Sequence, residues 1–112
     1  VQDSKILILG FTFKENCPDI RNTKIADIYT TLYEYSENIV VYDPWANPEQ
    51  VYNEYGITVV NALPQNELYN AVVLCVAHKE FINLDVRGLL NGSGVVYDVK
   101  GVLDREQIDG RL

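Results

Sequence analysis

The sequence has no long hydrophobic run and a deficit of positive charge. None of its apolar segments approaches the roughly 20 residues that a bilayer crossing requires, which argues against a membrane protein. Nine Lys and Arg against sixteen Asp and Glu give a net charge of -7. A general attraction to nucleic acid or to an anionic membrane is therefore disfavoured, and any bound phosphate must be met by a local group of cations.

Cysteine and histidine are also scarce, with two Cys and one His in the whole sequence. No Cys-x-x-Cys motif and no Cys/His spacing indicates a metal site. Cys17 lies in a polar stretch, whereas Cys75 lies inside an apolar segment and is predicted to pack in the core. A reducing cytoplasm is the simplest compartment for such a chain.

The length of 112 residues fits one compact domain and leaves no room for a second core. Hydrophobic residues make up 47% and charged residues 22%, which is typical of globular proteins. The chain opens at Val1 without an initiator Met or the features of a signal peptide. We therefore expect residues 1–112 to be a single domain taken from a longer protein.

Five short apolar segments alternate with helix-length polar or amphipathic stretches, the pattern of a parallel sheet covered by helices. The segments are nearly continuous in hydrophobicity, which indicates strands buried on both faces. The sequence thus predicts an α/β fold, a three-layer αβα arrangement with a five-stranded, mostly parallel sheet. The predicted strands are residues 5–10, 39–43, 57–60, 71–77 and 94–98.

Helices are predicted between these strands from apolar spacing and capping residues. Thr23 can cap a helix whose apolar residues recur at helical spacing up to Tyr35. A second helix should begin after Asn47 and end at Gly56. Weaker patterns predict a short helix over residues 63–68 capped by Asn61, another over residues 84–90, and a turn at residues 91–94.

The first predicted strand is followed by a long loop that carries Lys14 and Arg21 before a helix start. Ligands of doubly wound sheets collect at the carboxyl ends of the strands, and long loops there are usually functional. Two cations in a common cleft near helix amides can hold a diphosphate, and Asp19 could orient Arg21. The alternative is that both cations are solvated charges balanced by Glu15 and Asp19.

Other residues at strand ends carry weaker signals. The loop after Gly10 lacks the three glycines of a dinucleotide-binding turn, so a complete NAD site is not expected. Asp43 ends the second strand where Rossmann proteins carry a ribose-binding acid, but without those glycines a turn or helix-start role is favoured. His78 could act as an acid or base, yet it has no partner in its motif and is predicted to be a capping or packing residue.

Three groups of residues carry a resemblance to a known family. They are Gly10-Phe11-Thr12-Phe13-Lys14 followed by Asp19-Ile20-Arg21, then Val41-Tyr42-Asp43-Pro44, and then Asp98-Val99-Lys100-Gly101-Val102-Leu103-Asp104. In this order and at these separations they resemble the C-terminal domain of the UDP-glucose/GDP-mannose dehydrogenase family over nearly the whole chain. Asn16-Cys17-Pro18-Asp19 with Asn22-Thr23 is similar to the branch that oxidises UDP-N-acetylhexosamines for bacterial surface polysaccharides.

The resemblance implies an incomplete Rossmann-like fold that binds the UDP half of a UDP-sugar. It further implies that the rest of the same polypeptide binds NAD and supplies dimer contacts, so that the intact enzyme is a homo-oligomer. That enzyme would oxidise the C6 hydroxymethyl of the sugar to a carboxylate while reducing two NAD. Its nucleophilic cysteine would lie upstream, so this chain would hold no catalytic residue and would be inactive alone.

The resemblance also implies individual roles in the site. Phe13 and Lys14 would lie beside the nucleotide-sugar, with Lys14 near its phosphates, and Arg21 would lie near the NAD. Many members carry Asp-Gly-Arg where this chain has Asp98-Val99-Lys100. Lys100 can offer one positive charge to the substrate but not the bidentate contact of a guanidinium. Cys17 is not expected to be the nucleophile, since no His in its motif activates it.

Two other classes of protein are alternatives to this family. A non-catalytic interaction module that stabilises an oligomer could keep a nucleotide-binding-like fold, because fold does not imply function. Such a module would not need two cations converging on one pocket. A receiver-like or flavodoxin-like signalling domain is less favoured, because the first strand ends in Gly10 without the acidic pair that binds a metal in receiver domains.

Overall fold

The computed structural model of the chain describes residues 4–21, 23–99 and 110–111. A helix follows each of the first two strands, as the apolar pattern predicts, whereas the described residues between the third strand and the fourth contain no helix. In chain order they are β1 (Lys5–Leu9), α1 (Ile25–Tyr33), β2 (Asn38–Tyr42), α2 (Pro48–Tyr55), β3 (Val59–Val60), β4 (Tyr69–Leu74), α3 (Lys79–Ile82), a 3₁₀ turn (Arg87–Leu89), β5 (Leu90–Asp98) and β6 (Gly110–Arg111).

The strands form one sheet in the order β3-β2-β1-β4-β5-β6, and every described pairing is parallel. This order is that of a Rossmann-type doubly wound sheet. The predicted α/β class with a mostly parallel sheet is confirmed. The strand number differs from the predicted five, because the two-residue strand β6 pairs with the end of β5. So short a strand leaves no readable apolar pattern in the sequence.

The side chains of alternate strand residues fill two cores, one on each face of the sheet. Ile6 and Ile8 of β1 pack with Ile25 of α1 and Val51 of α2 on one face. On the other face a second cluster joins β1, β4 and β5 to α3; its buried members are Leu7, Leu9, Tyr69, Val72, Leu74, Phe81, Val86 and Val96. The two clusters give the three layers that the sequence predicts.

Of the two helices on the first face, α2 begins and ends where the sequence indicates, whereas α1 ends at Tyr33, two residues before the predicted Tyr35. Asn47 caps α2, with its side-chain oxygen accepting from the amides of Glu49 and Gln50, and Gly56 ends it with a φ of +70°. The hydroxyl of Thr23 accepts a hydrogen bond from the Ile25 amide at the start of α1, although Lys24 occupies the N-cap position.

Three local predictions in the second half are wrong. Residues 63–68, all of them described, contain a turn at residues 65–66 and no helix, and the Asn61 amide donates to the carbonyls of Asp43 and Ala46. The helix predicted over residues 84–90 is reduced to the turn Arg87–Leu89. The predicted turn at residues 91–94 lies within β5, where a register shift opposite β4 absorbs extra residues.

The order of strands places β1 beside β4, the point from which the chain winds to opposite edges of the sheet. Gly10 leaves β1 with a φ of +100°, and a Cβ there would lie 2.5 Å from the Cβ of Val76. Only glycine permits this close approach of the segments that follow β1 and β4. The loops that leave the two strands therefore lie side by side, where ligands of such sheets bind.

Within the part of the chain described, no helix has the length and apolar character needed to span a membrane.

Candidate functional site

The candidate site lies at the carboxyl edge of the sheet, around the loop between β1 and α1. We call residues 10–24 the β1–α1 loop. Beside it lie the end of β2, at Asp43, and the segment after β4, at His78. Both of these side chains are fully buried, although both are ionisable. Burial of such groups requires that their polar atoms be satisfied inside the protein.

The Asp43 carboxylate accepts hydrogen bonds from both sides of the site. Its Oδ2 accepts from the amides of Phe11 at 2.6 Å and Thr12 at 3.0 Å, and lies 2.9 Å from Nε2 of His78. Its Oδ1 accepts from the amides of Trp45 at 2.7 Å and Ala46 at 3.1 Å. The second set is an Asx turn, so the predicted turn role of Asp43 is confirmed. The first set fastens the β1–α1 loop to β2.

These contacts also set the charge of Asp43. Burial alone raises the pKa of a carboxyl, but the hydrogen bonds from His78, Phe11 and Thr12 favour the ionised form. The pKa of Asp43 is consequently lowered from 3.8. The buried group is therefore a carboxylate that uses its charge within the fold.

The hydrogen bonds of His78 fix its tautomer. Nδ1 accepts the amide hydrogen of Asn16 at 2.8 Å, so this nitrogen carries no proton. The proton of the neutral ring is therefore on Nε2, which lies 2.9 Å from the Asp43 carboxylate and 3.0 Å from Oγ1 of Thr12. The ring also packs between Trp45 and Phe81. The predicted packing role of His78 is confirmed, and both of its nitrogens are engaged within the fold.

The β1–α1 loop is held by further hydrogen bonds along its length. The Thr12 hydroxyl donates to the carbonyl of Lys14 at 3.1 Å, and the Phe13 amide donates to the carbonyl of Asp19 at 2.7 Å. Nearer α1, the Thr23 hydroxyl donates to the Phe11 carbonyl at 2.7 Å. These three hydrogen bonds define the shape of the loop.

Two predicted site residues, Phe13 and Lys14, project from this loop. Phe13 is 56% exposed although it is a large apolar side chain, and Lys14 is exposed beside it. The backbone on either side is fixed, at the Phe13 amide and at the Lys14 carbonyl. An exposed aromatic ring and a cation on a rigid backbone can contact a planar base or sugar and an anion.

Arg21 is oriented by Asp19, as the sequence suggests. Nε and Nη2 of Arg21 lie 3.0 and 3.1 Å from the two carboxylate oxygens, a bidentate pair in which Arg21 is largely exposed. Hydrogen bonds from Arg21 lower the pKa of Asp19, and the same pair raises that of Arg21. Arg21 lines a hollow of about 410 Å³ with Cys17, Pro18, Asp19, Ile20 and Gln50. Lys14 does not line this hollow, so the cleft at Arg21 is not one that both cations share.

The remaining predicted residues divide between core, loop and undescribed chain. Cys75 is buried in the core as expected. Cys17 is a partly exposed free thiol on the rim of the Arg21 hollow. Asp98 is buried at the end of β5, while Lys100 lies outside the described residues.

Sequence reasoning missed the connection between Asp43, His78 and the β1–α1 loop. Asp43 and His78 are 35 positions apart, and Asn16 and His78 are 62 positions apart, so no local motif contains either pair. The available signal is that all three lie at or just after the carboxyl ends of predicted strands. Because such ends meet at one edge of a parallel sheet, a buried acid and a histidine there are candidates for a pair.

The parallel strand order of the described sheet and the long loop after β1 define a Rossmann-like α/β domain, a fold that is common among nucleotide-binding proteins. Residues 7–105 match the sequence model of the UDP-glucose/GDP-mannose dehydrogenase family, UDP binding domain. The chain belongs to this family, as the motifs around Lys14, Asp43 and Asp98 indicate.

Curated relatives agree with the narrower resemblance. The chain is 46% identical to a UDP-N-acetyl-D-glucosamine 6-dehydrogenase of Salmonella typhi and 44% identical to one of Pseudomonas aeruginosa. Each match covers 100% of this chain and 27% of the relative. The chain therefore spans about a quarter of the length of these relatives.

Solved structures show the same fold. A UDP-N-acetyl-mannosamine dehydrogenase from S. aureus superposes with a TM-score of 0.72 at 22% identity, covering 99% of this chain and 26% of that one. A UDP-D-ManNAc dehydrogenase from Pyrococcus horikoshii superposes with a TM-score of 0.74 at 15% identity, covering 98% of this chain and 25% of that one. The Rossmann-like architecture predicted from the sequence is confirmed.

Proposed function

We propose that this chain binds the UDP moiety of a UDP-N-acetylhexosamine, as the substrate-binding domain of a cytoplasmic, NAD-dependent UDP-sugar 6-dehydrogenase. The observation that carries the proposal is the β1–α1 loop, whose fixed backbone projects Phe13 and Lys14 from the ligand-binding edge of the sheet. A protein with a net charge of -7 needs such a local cation to accept a diphosphate. Membership in a UDP-binding family and the names of the relatives support the same ligand.

In this proposal the domain contributes binding and orientation. Lys14 neutralises the diphosphate, Phe13 packs against the nucleotide-sugar, and Lys100 supplies a second cation from the segment after β5. Fixing the diphosphate orients the sugar carbon C6 toward the groups that oxidise it, which lowers the entropy cost of reaching the reactive geometry. The hydroxymethyl would become a carboxylate as two NAD are reduced. The thiol that carries the acyl intermediate would belong to another part of the polypeptide.

The turn after β1 does not fit NAD. In dinucleotide-binding domains the amides of this turn approach the pyrophosphate. Here the amides of Phe11 and Thr12 already donate to the Asp43 carboxylate, whose negative charge would also repel a phosphate. We therefore assign NAD mainly to another part of the polypeptide, with Arg21, held by Asp19, as the one residue of this chain directed to it. A homo-oligomer formed through that other part completes the proposal.

Titration of the chain with UDP and UDP-N-acetylglucosamine, followed by amide NMR, tests the binding site. We expect shifts concentrated in residues 13–21, and a Kd that rises about tenfold or more in Lys14→Ala, since one charge-assisted hydrogen bond contributes about 1.5–3 kcal/mol. Lys24→Ala removes the same charge from an exposed position and should change the Kd by less than about twofold. Shifts elsewhere, or equal effects of the two variants, would contradict the assignment.

An oligomerisation module is the second candidate, because several tyrosines on or just after α1 and on α2 are exposed. Tyr33, Tyr35 and Tyr52 have exposed fractions of 45%, 58% and 60%. Tyrosine is enriched at protein interfaces. Thermal unfolding separates the two functions, since UDP at a hundred times its Kd should add about 2.7 kcal/mol to the free energy of unfolding. No shift in the unfolding temperature, together with a concentration-dependent dimer, would favour the module.

A further inference from the structure

We infer that His78 is a positioning residue for the UDP site, setting the backbone on both sides of Lys14 through Asn16 and Thr12. This inference rests on the proposed function of the β1–α1 loop. It assigns a task to a side chain that is fully buried and therefore does not touch the nucleotide.

The first tether runs from His78 to the residue two positions after Lys14. Nδ1 of His78 accepts the Asn16 amide at 2.8 Å, and the side-chain oxygen of Asn16 accepts the Lys79 amide at 2.8 Å. Asn16 adopts a left-handed conformation, with a φ of 54°. Asn tolerates this conformation better than most residues, and two fixed hydrogen bonds hold it there.

The second tether runs through the residue two positions before Lys14. Nε2 of His78 lies 3.0 Å from Oγ1 of Thr12, and that hydroxyl donates to the Lys14 carbonyl at 3.1 Å. Thr12 is 1% exposed, so its hydroxyl is confined to these partners rather than to water. Lys14 thus sits between two points of the loop that are both fastened to one imidazole.

The imidazole itself has little freedom. Its Nε2 donates to the Asp43 carboxylate. The Trp45 ring stacks beside it with the ring centroids 6.1 Å apart, and the Phe81 ring meets it edge-on with the centroids 5.4 Å apart. The charged groups facing it are Asp43 from β2 and, across Trp45, Lys79 and Glu80 from α3. A ring held in place by aromatic packing and by a carboxylate also holds in place the loop atoms that are hydrogen-bonded to it.

Two substitutions separate positioning from packing. In His78→Asn the side-chain oxygen can take the place of Nδ1 and accept the Asn16 amide, whereas in His78→Gln the amide nitrogen can take the place of Nε2 and donate to Asp43. His78→Asn thus keeps the contact to Asn16 and loses those from Nε2 to Asp43 and Thr12, whereas His78→Gln keeps the Nε2 contacts and loses the one to Asn16. Both variants lose hydrogen bonding and ring volume. We therefore expect similar losses of thermal stability in the two proteins, whatever happens to the ligand.

The affinity for UDP should differ between the two His78 variants. We expect the Kd of His78→Asn to stay within about threefold of the original, because the Asn16 amide keeps an acceptor and the Thr12 hydroxyl can still donate to the Lys14 carbonyl without the imidazole. The Kd of His78→Gln should rise about tenfold, since the Asn16 amide then has no acceptor, and one lost hydrogen bond is in this range. Thr12→Val, which keeps the shape of the side chain and removes the hydroxyl, should also raise the Kd severalfold. Equal Kd values for the two His78 variants would overturn the inference, as would a loss of affinity that follows thermal stability alone.

Hydrogen exchange of the Asn16 amide tests, without any ligand, whether His78 holds the loop in position. Protection of this amide in the original chain and in His78→Asn, with fast exchange in His78→Gln, supports positioning. Equal protection in all three contradicts it. If the original chain fails to bind UDP, the proposed function fails, and the exchange result alone determines whether His78 sets the loop.

Discussion

The Phe11 amide donates to the Asp43 carboxylate across 2.6 Å, joining the turn after β1 to the end of β2. In a dinucleotide-binding sheet the acid at the end of β2 faces the ribose, and the amides of the turn face the pyrophosphate. In this chain the acid and the amides face each other. With the same Rossmann-type strand order, the amides and the acid that usually contact a dinucleotide are therefore bonded to each other. In the site proposed above, the side chains of the β1–α1 loop contact the ligand instead.

Asp43→Asn should lower the free energy of unfolding by about 2–4 kcal/mol, because it removes charge-assisted hydrogen bonds and sets an amide donor against donors. Whichever way the amide turns, its NH₂ group meets either the Phe11 and Thr12 amides or those of Trp45 and Ala46. Urea unfolding at pH 7 measures the change. A loss below about 1 kcal/mol would mean that the five donors do not depend on the carboxylate.

The stability of the chain should depend on pH below the ordinary titration range of Asp43. Its pKa is lowered from 3.8 in the folded protein, so below that value the unfolded chain binds the proton more readily. The stabilising contribution is complete above pH 3.8 and is lost as the pH falls through the folded pKa. Urea midpoints measured from pH 7 down to about pH 2 should show this loss as a fall in stability at acid pH, the acid limb of the pH–stability curve.

The matched control compares a buried carboxylate with an exposed one. Asp43→Asn should remove much of the acid limb. Asp19→Asn should leave most of it, since Asp19 is paired with a largely exposed Arg21 and solvent screens that interaction. An unchanged limb in Asp43→Asn would show that other carboxyl groups cause it.

The sequence predicts the parallel sheet and α2 because the relevant signals are local. Each strand is a short apolar segment, and Asn47 and Gly56 mark the ends of a helix by their own hydrogen bonding and backbone freedom. The segment after Asn61 is different. Its cap-like side chain is used by Asp43 and Ala46, which lie 18 and 15 residues earlier in the chain, and a tertiary contact overrides the local preference.

The candidate site is predicted from the sequence only in part. The exposed Phe13 and Lys14 belong to one motif, and the pairing of Asp19 with Arg21 follows from their spacing of two residues. The support beneath them is long-range, since Asn16 meets His78 across 62 positions. His78, which lacks a partner in its own motif, has three in the folded chain, namely Asn16, Thr12 and Asp43.

Gly10→Ala should be strongly destabilising, because a Cβ at this position meets backbone as well as side chain. The nearest atoms are Cβ of Val76 at 2.5 Å and the Val76 nitrogen at 2.9 Å, and the φ of +100° is itself unfavourable for alanine. We expect a loss of about 3 kcal/mol or more from the combined clash and strain. Chemical denaturation measures it.

Gly56→Ala is the control for Gly10→Ala, since its φ of +70° is also positive but no atom lies within 4 Å of the new Cβ. Only the left-handed conformation is penalised, so the expected loss is about 1–2 kcal/mol. Equal losses for the two variants would show that the contact between Gly10 and Val76 is relieved by a small shift of the strands.

Substitutions of Asn16 should separate the conformation of the β1–α1 loop from its side-chain tether. Asn16→Gly keeps the left-handed φ of 54° at little cost but loses the hydrogen bond from the Lys79 amide. Asn16→Ala loses the same bond and also strains the backbone by about 1–2 kcal/mol. Both variants keep the amide that His78 accepts. We therefore expect the Kd for UDP, measured by calorimetry, to rise a few-fold in Asn16→Gly and further in Asn16→Ala. If Asn16→Ala instead bound UDP as tightly as the original chain, the left-handed residue would not be needed to place Lys14.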